Sequence, residues 1–228
     1  MFRLNVAILS ISALAVVTPV QAQVFADSVA EFSSVQGQDG WFYGYYDRTN
    51  DVGGIYAPAT DFQQMTQYGV SPDEWTVQEG TFWTRLGEQG GHDNGVITGG
   101  GRTEVEHWAI RRYVSEATGT VTLSGNLAKL NTGGGNGIVG RIFVDGTQAY
   151  SQTVNFNDAV GFNYSFDVAV GIGSTLDFIL DPNASNDQFD GARFIAKLTA
   201  VPEPSALAAF VIGAVSGVVL LRRRRRKS

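Results

Sequence analysis

The stretch FNYSFDVA, residues 162–169, alternates Phe162, Tyr164, Phe166 and Val168 with Asn163, Ser165, Asp167 and Ala169. Apolar residues recurring every second position place one row of side chains on each face of a strand, and no helix tolerates that period. The pattern repeats around it. Leu176, Phe178 and Leu180 alternate in STLDFILDP, and Val121 and Leu123 begin the same rhythm in GTVTLSGNL. Ile138, Ile142 and Val144 run into Asp145-Gly146, a pair that suits a two-residue hairpin turn. Strand signals spaced by ~8–12 residues, with no long helical pattern between them, predict an all-β fold, an antiparallel β-sandwich most consistent with the jelly-roll type. A short helix is expected somewhere between Pro58 and Tyr68.

Composition agrees. The 228 residues are 43% hydrophobic and 17% charged, a globular balance. The 28 glycines, about 12% against a usual ~7%, suit strands joined by tight turns. With no cysteine, disulfides, thiolate metal sites and a cysteine nucleophile are excluded.

Both ends carry targeting signals. In MFRLNVAILSISALAVVTPVQAQ, Arg3 supplies the positive start, Leu4 to Val17 the apolar stretch and Val20-Gln21-Ala22 a small-residue cleavage site. Residues 1–22 therefore read as a signal peptide, with Gln23 first after cleavage. At the other end, residues 205–221 are 17 positions without a charge. At ~1.5 Å rise each they make about 25 Å of helix, enough for a thin hydrocarbon core. Arg222, Arg223, Arg224, Arg225, Arg226 and Lys227 follow at once. Because positive charge stays on the cytoplasmic side, this block reads as a stop-transfer signal with the C-terminus inside and the preceding chain exported. A nucleic-acid reading of the arginines is the weaker alternative. Gly213 and Gly217 form a GxxxG pair that small-residue composition explains equally well.

Val201-Pro202-Glu203-Pro204, then the apolar helix, then the basic block, in that order at the C-terminus, resembles the PEP-CTERM sorting tag of Gram-negative bacteria. The resemblance covers residues 201–228. It implies export across the inner membrane, recognition by an exosortase-type processing enzyme, and release or attachment at the surface of cells that make exopolysaccharide. Two prolines keep the peptide extended and accessible just before the membrane segment. A permanent single-pass anchor keeps the same topology.

Between these signals lies residues 23–200, the predicted ectodomain. Without Glu203, Arg3 and the six tail cations, the chain's 22 acidic and 16 basic residues become 21 against 9, a net charge of about −12. So acidic a domain disfavours DNA, RNA and anionic lipid as partners. Its second half, from WAIRRYVSEATGTVTLSGNLAKL through GNGIVGRIFVDGTQAYSQTV to FNYSFDVAVGIGSTLDFILDP, is similar to β-sandwich modules appended to bacterial carbohydrate-active and surface proteins. That resemblance implies a fold, and sugar binding by analogy alone.

The stretch GQDGWFYGYYD, residues 37–47, concentrates Trp41, Phe42, Tyr43, Tyr45 and Tyr46. Flat aromatic faces with polar edges recognise sugars, which makes Trp41, Tyr43 and Tyr45, with Trp75 and Trp83 downstream, candidate ligand-binding residues. Alternation puts Trp41, Tyr43 and Tyr45 on one face, however, and one face of a sandwich is core; core packing is the commoner use.

For metals, DPNASNDQFD, residues 181–190, is rich in hard oxygen ligands of the kind Ca²⁺ takes six to eight at a time. It departs from an EF-hand, with Asn186 where glycine is needed and Ala192 where the bidentate glutamate belongs. Asp181, Asp187 and Asp190 remain candidates for a structural calcium, against Asx turns between strands. No other cofactor is expected.

Catalytic signals are thin. His92 and His107 are the only histidines and form no zinc or triad pattern. Glu104 with Glu106, or Asp73 with Glu74, would serve a glycosidase only if their spacing in the fold were right. Gly135-x-Gly137-x-x-Gly140 leads into a strand-like run, so it reads as a turn and not a nucleotide loop. The expectation is a non-catalytic polysaccharide-binding surface protein. The alternatives are a structural or adhesive matrix protein without sugar recognition and, less favoured, a polysaccharide-active enzyme.

Overall fold

The computed structural model describes residues 23–51, 54–69 and 73–201. The expected signal peptide 1–22, Pro202-Glu203-Pro204, the apolar segment 205–221 and the basic tail 222–227 lie outside the described residues. Among those described, no helix is long and apolar enough to cross a membrane.

The expected strands form where the alternation lies. They are β1 (Val24–Asp27), β2 (Trp41–Asp47), β3 (Gln63–Gln64), β4 (Gln67–Tyr68), β5 (Trp75–Thr76), β6 (Arg85–Leu86) and β7 (Gly90–His92) in the first half. The second half carries β8 (His107–Val114), β9 (Gly119–Lys129), β10 (Ile138–Val144), β11 (Thr147–Val154), β12 (Phe162–Val170), β13 (Thr175–Asp181) and β14 (Ala192–Ala200). The short helix is α1 (Pro58–Asp61), a single turn with proline at its start, where a missing N–H does no harm.

All the strand pairs are antiparallel, in two sheets. One runs β12-β9-β14-β7-β6-β5-β4, with β1 on the β14 edge; the other runs β11-β10-β13-β8-β2-β3. Both contribute to one core. Leu123, Leu127, Tyr164, Phe194 and Leu198 come from the first sheet, and Trp41, Tyr43, Tyr113, Ile142, Leu176 and Phe178 from the second. The protein is therefore an all-β sandwich.

Period two decides what faces inward. In β12 Tyr164 and Val170 are buried, Phe166 and Val168 half-buried, and the intervening Ser165, Asp167 and Ala169 exposed. Only Phe162, at the strand's start, escapes, at 39% exposure. The β10–β11 hairpin turns at Asp145 and Gly146 with φ of 48° and 81°, the left-handed pair an Asp-Gly turn requires. Gly135 and Gly137 also have positive φ and precede β10, as a turn should.

The β13 strand departs from simple alternation, because Leu176 through Asp181 is buried on both faces. Its outer face is covered by the segment around α1. Tyr56, with Phe62 packed alongside, joins Tyr46, Ile110, Phe143 and Ile179 in a second, smaller cluster. At its edge Asp177 accepts hydrogen bonds from Tyr56 Oη at 2.8 Å and from Arg112 Nε at 2.6 Å and Nη2 at 2.9 Å. A buried carboxylate with three donors satisfies the requirement that a charge out of water be paired.

Candidate functional site

The aromatic stretch on β2 lies mostly inside. Trp41 and Tyr43 are fully buried and Trp75 is 6% exposed, so these three pack the core and offer no surface platform. The reason is the register: β2 is paired with β8 on one side and β3 on the other, and its alternate residues face the opposite sheet. Trp41 meets Tyr113 at 5.0 Å and Phe178 at 6.1 Å, and Tyr43 stacks on Trp75 at 5.7 Å. Each polar edge is tied down within the protein. Trp41 Nε1 donates to Glu31 Oε2 at 2.7 Å and Trp75 Nε1 to the Ser33 carbonyl at 2.8 Å. Tyr45 is half-buried against His107, its hydroxyl donating to Gln63 Oε1 at 2.9 Å.

Trp83 is different. It follows β5 in a loop, is only partly buried, and stands on the wall of a cleft of about 510 Å³. Its backbone N–H donates to Asn94 Oδ1 at 2.8 Å and its indole N–H to the Gly99 carbonyl at 3.2 Å. The Arg102 guanidinium stacks 4.1 Å from the ring centre, and the His92 imidazole lies 5.6 Å away at 31°. These contacts hold the indole in one orientation. Across the cleft, Phe189 is 45% exposed, its ring lying against Gly133 and Gly134, where a Cβ on either would come within 3.0 Å. Arg85, Asn131 and Asp187 complete the lining with polar groups. A second hollow of about 330 Å³, bounded by Glu74, Gln89 and Leu130, shares Arg85, His92 and Gly191 with the first, so the two adjoin as one groove. Arg85 binds Glu74 at 3.2 Å along it.

The groove crosses β7, whose sequence Gly-Gly-His explains the close approach of its neighbours. A Cβ on Gly90 would lie 2.0 Å from the Ala192 carbonyl oxygen, and one on Gly91 2.2 Å from that of Arg85. Only glycine lets the backbones pass so closely. His92 Nδ1 faces the Asp93 carbonyl at 2.7 Å, and burial pushes the imidazole down to about 4, so it is uncharged at neutral pH.

Of the three acidic residues expected as a metal site, the structure brings two together and removes the third. Asp181 is engaged by Arg141, with Nη2 at 2.6 Å and Nε at 2.8 Å from the same oxygen. Asp187 accepts the Gly95 N–H at 2.8 Å through Oδ2 and has the Thr98 side chain as a polar neighbour, while its Oδ1 makes no hydrogen bond at ordinary distance. Asp190 holds Lys129 Nζ at 2.6 Å through Oδ1, both side chains being fully buried, and its Oδ2 is unpartnered. A fourth carboxylate was not anticipated. Asp93, just after β7, is completely buried and neither of its oxygens has a partner. Burial, and then the charges of Asp190, Asp181 and Asp187, hold its carboxyl well above the usual range. Burial likewise raises Asp190 to about 7, despite Lys129.

The acidic pairs singled out for catalysis do not converge on the groove. Glu104 is exposed and Glu106 Oε1 accepts the Trp108 indole N–H at 3.0 Å. Glu74 alone borders the second hollow. His107 is buried between Tyr45 and Phe82, its Nδ1 3.0 Å from Thr84 Oγ1.

No protein-family model and no curated protein matches the chain. Among solved structures, a β-glucosidase from Kluyveromyces marxianus in complex with glucose is similar over 77% of this chain and 18% of its own, at 9% identity and a TM-score of 0.31. The chain thus spans less than a fifth of that enzyme's length.

Proposed function

We propose that this protein is an exported surface or matrix protein whose β-sandwich binds polysaccharide, without catalysis, in the groove between Trp83 and Phe189. The observation that carries the reading is the groove itself: two aromatic rings outside the core, one of them fixed by an arginine and two hydrogen bonds, flanked by Arg85, Asn131 and Asp187. Apolar faces beside fixed polar groups suit sugars, which present both kinds of surface. Delivery rests on the sequence signals: a signal peptide, a PEP-CTERM-like motif, an apolar anchor and a basic tail placed for an exosortase-type enzyme. The jelly-roll reading is supported by strand order, since β1-β14-β9-β12 faces β8-β13-β10-β11 and the chain crosses between sheets at β8–β9, β9–β10, β11–β12, β12–β13 and β13–β14. In that reading β2 to β7, which carry half the groove, are an insertion between the first two strands.

The test is affinity electrophoresis of the purified chain through gels containing a panel of polysaccharides. One polysaccharide should retard the protein, and Trp83→Ala should abolish the retardation with folding intact, because single stacking aromatics at binding sites contribute several-fold to a hundredfold in affinity. Failure of every polysaccharide to retard the wild type would refute the reading and favour a structural matrix role.

A further inference from the structure

The structure points to a cation site behind the groove wall: we propose that Asp93, Asp187 and Asp190 bind a divalent cation of the calcium type. Asp93 and Asp190 have no exposed surface and Asp187 has 1%. Four of their six carboxylate oxygens, both of Asp93 and one each of Asp187 and Asp190, make no hydrogen bond at ordinary distance. Buried carboxylate oxygens are ordinarily paired, and leaving them without donors is costly.

Charge gives the valence. Ionised around a bound cation, three carboxylates against the single ammonium of Lys129 leave two negative charges, which a divalent ion cancels. Asp181 does not alter the count, because Arg141 neutralises it. The donor set gives the class of metal. The chain has no cysteine, and His92 Nδ1, although 3.9 Å from Asp93 Oδ1, is engaged by the Asp93 carbonyl at 2.7 Å, so the ligands on offer are hard oxygens. Hard oxygens on loops of irregular geometry suit Ca²⁺ better than Mg²⁺, which demands a strict octahedron.

Placement gives access and consequence. Asp187 lines the 510 Å³ cleft, which opens a route from solvent. The two contributing segments are already stitched together: Ile97 N donates to the Ser185 carbonyl at 2.9 Å, Asp187 N to that of Ile97 at 3.2 Å, and Gly95 N to Asp187. Among the described residues no three acidic or histidine side chains yet converge at ligand geometry. Binding therefore draws the carboxylates inward, with backbone carbonyls and water completing the shell, and fixes the loop that carries Phe189. The inference does not depend on polysaccharide binding, since its test contains no sugar.

Chelator-treated protein titrated calorimetrically with CaCl₂ at pH 7.5 should bind one equivalent. Its melting midpoint should rise by roughly 5–10 °C at a hundredfold excess over Kd. Asp93→Asn should lose both effects, while Glu88→Gln, at an exposed carboxylate, should keep them. Terbium luminescence of the wild type, sensitised by tryptophan and displaced by Ca²⁺, reads the site even if Asp93→Asn does not fold. Absence of calorimetric binding and of displaceable luminescence would overturn the proposal. So would an Asp93→Asn protein that melts at or above the wild-type midpoint, the behaviour of a buried carboxyl that is simply protonated.

Discussion

Truncating Trp41 to alanine separates a core residue from a binding residue, because the two roles predict opposite losses. The indole is wholly buried between Tyr113 and Phe178, and its N–H donates to Glu31 at 2.7 Å. Removing a buried tryptophan ring costs about 3–5 kcal/mol in lost transfer and cavity formation. The lost hydrogen bond adds about 1 kcal/mol, and not more, because Glu31 Oε2 still accepts the Asp27 N–H at 3.0 Å. Against a total stability of ~5–15 kcal/mol this is a large fraction. Urea unfolding followed by far-ultraviolet circular dichroism should show the unfolding free energy lowered by that sum, about 4–6 kcal/mol, with an unchanged slope, and the melting temperature should fall by roughly 8–24 °C. Retardation by polysaccharide, measured where the variant is folded, should be unaltered. A Trp41→Ala protein within about 1 kcal/mol of wild type, or one that folds normally but loses the polysaccharide, would refute the assignment of β2's aromatics to the core.

Other perturbations probe the remaining features. Asp177→Asn should destabilise by about 3–5 kcal/mol in the same urea assay, because it strips the negative charge from beneath Arg112 and disturbs the Tyr56 hydroxyl that closes the outer cluster. Gly125→Ala would place a Cβ 1.9 Å from the Ile195 carbonyl oxygen on the adjoining strand, so a loss of at least ~1–3 kcal/mol is expected, measurable as a lowered midpoint. Acidification tests His107, which burial pushes down to about 4. Between pH 6.5 and 4 the unfolded chain takes up a proton that the folded imidazole refuses, so stability contributed by this residue is full above pH 6.5 and declines as pH falls, by roughly 3 kcal/mol. Asp190, raised to about 7, acts in the opposite sense, favouring the folded state as pH falls from 7 toward 4. The difference between wild type and His107→Gln isolates the histidine: the variant's stability should fall less steeply over that window, and parallel curves would contradict the buried neutral imidazole.

The alternation at 162–169 and the Asp145-Gly146 pair were sufficient to predict an antiparallel sandwich, because period two and a left-handed turn pair are local consequences of backbone geometry. The same pattern is silent about which side of a strand meets the opposite sheet. Trp41 and Tyr43 could be read as platform or core from the sequence, and pairing with β8 places them inside. In β13 alternation placed Leu176, Phe178 and Leu180 in the main core as expected, but gave no sign that the segment from Tyr56 to Phe62 covers the outer face and buries Ile179 as deeply as Phe178.

The groove and the acidic cluster belong to tertiary structure for the same reason. Trp83 stood among candidates by its residue type, and the local β6–β7 pairing sets Arg85 and His92 beside it, yet Phe189 joins them only because β14 pairs with β7 across about a hundred residues of chain. Asp187 and Asp190 were conspicuous in a polar loop, but Asp93 carries no local signal at all: a lone aspartate beside glycine and histidine looks like any turn residue. Its significance arises where sheet pairing removes it from water and sets it against carboxylates some ninety positions away, an effect of long-range burial that the local sequence pattern does not encode. The proposed export and sorting are the reverse case. That reading rests on short linear segments, residues 1–22 and 201–228, whose apolar and charged patterns are local, so it draws on no tertiary structure.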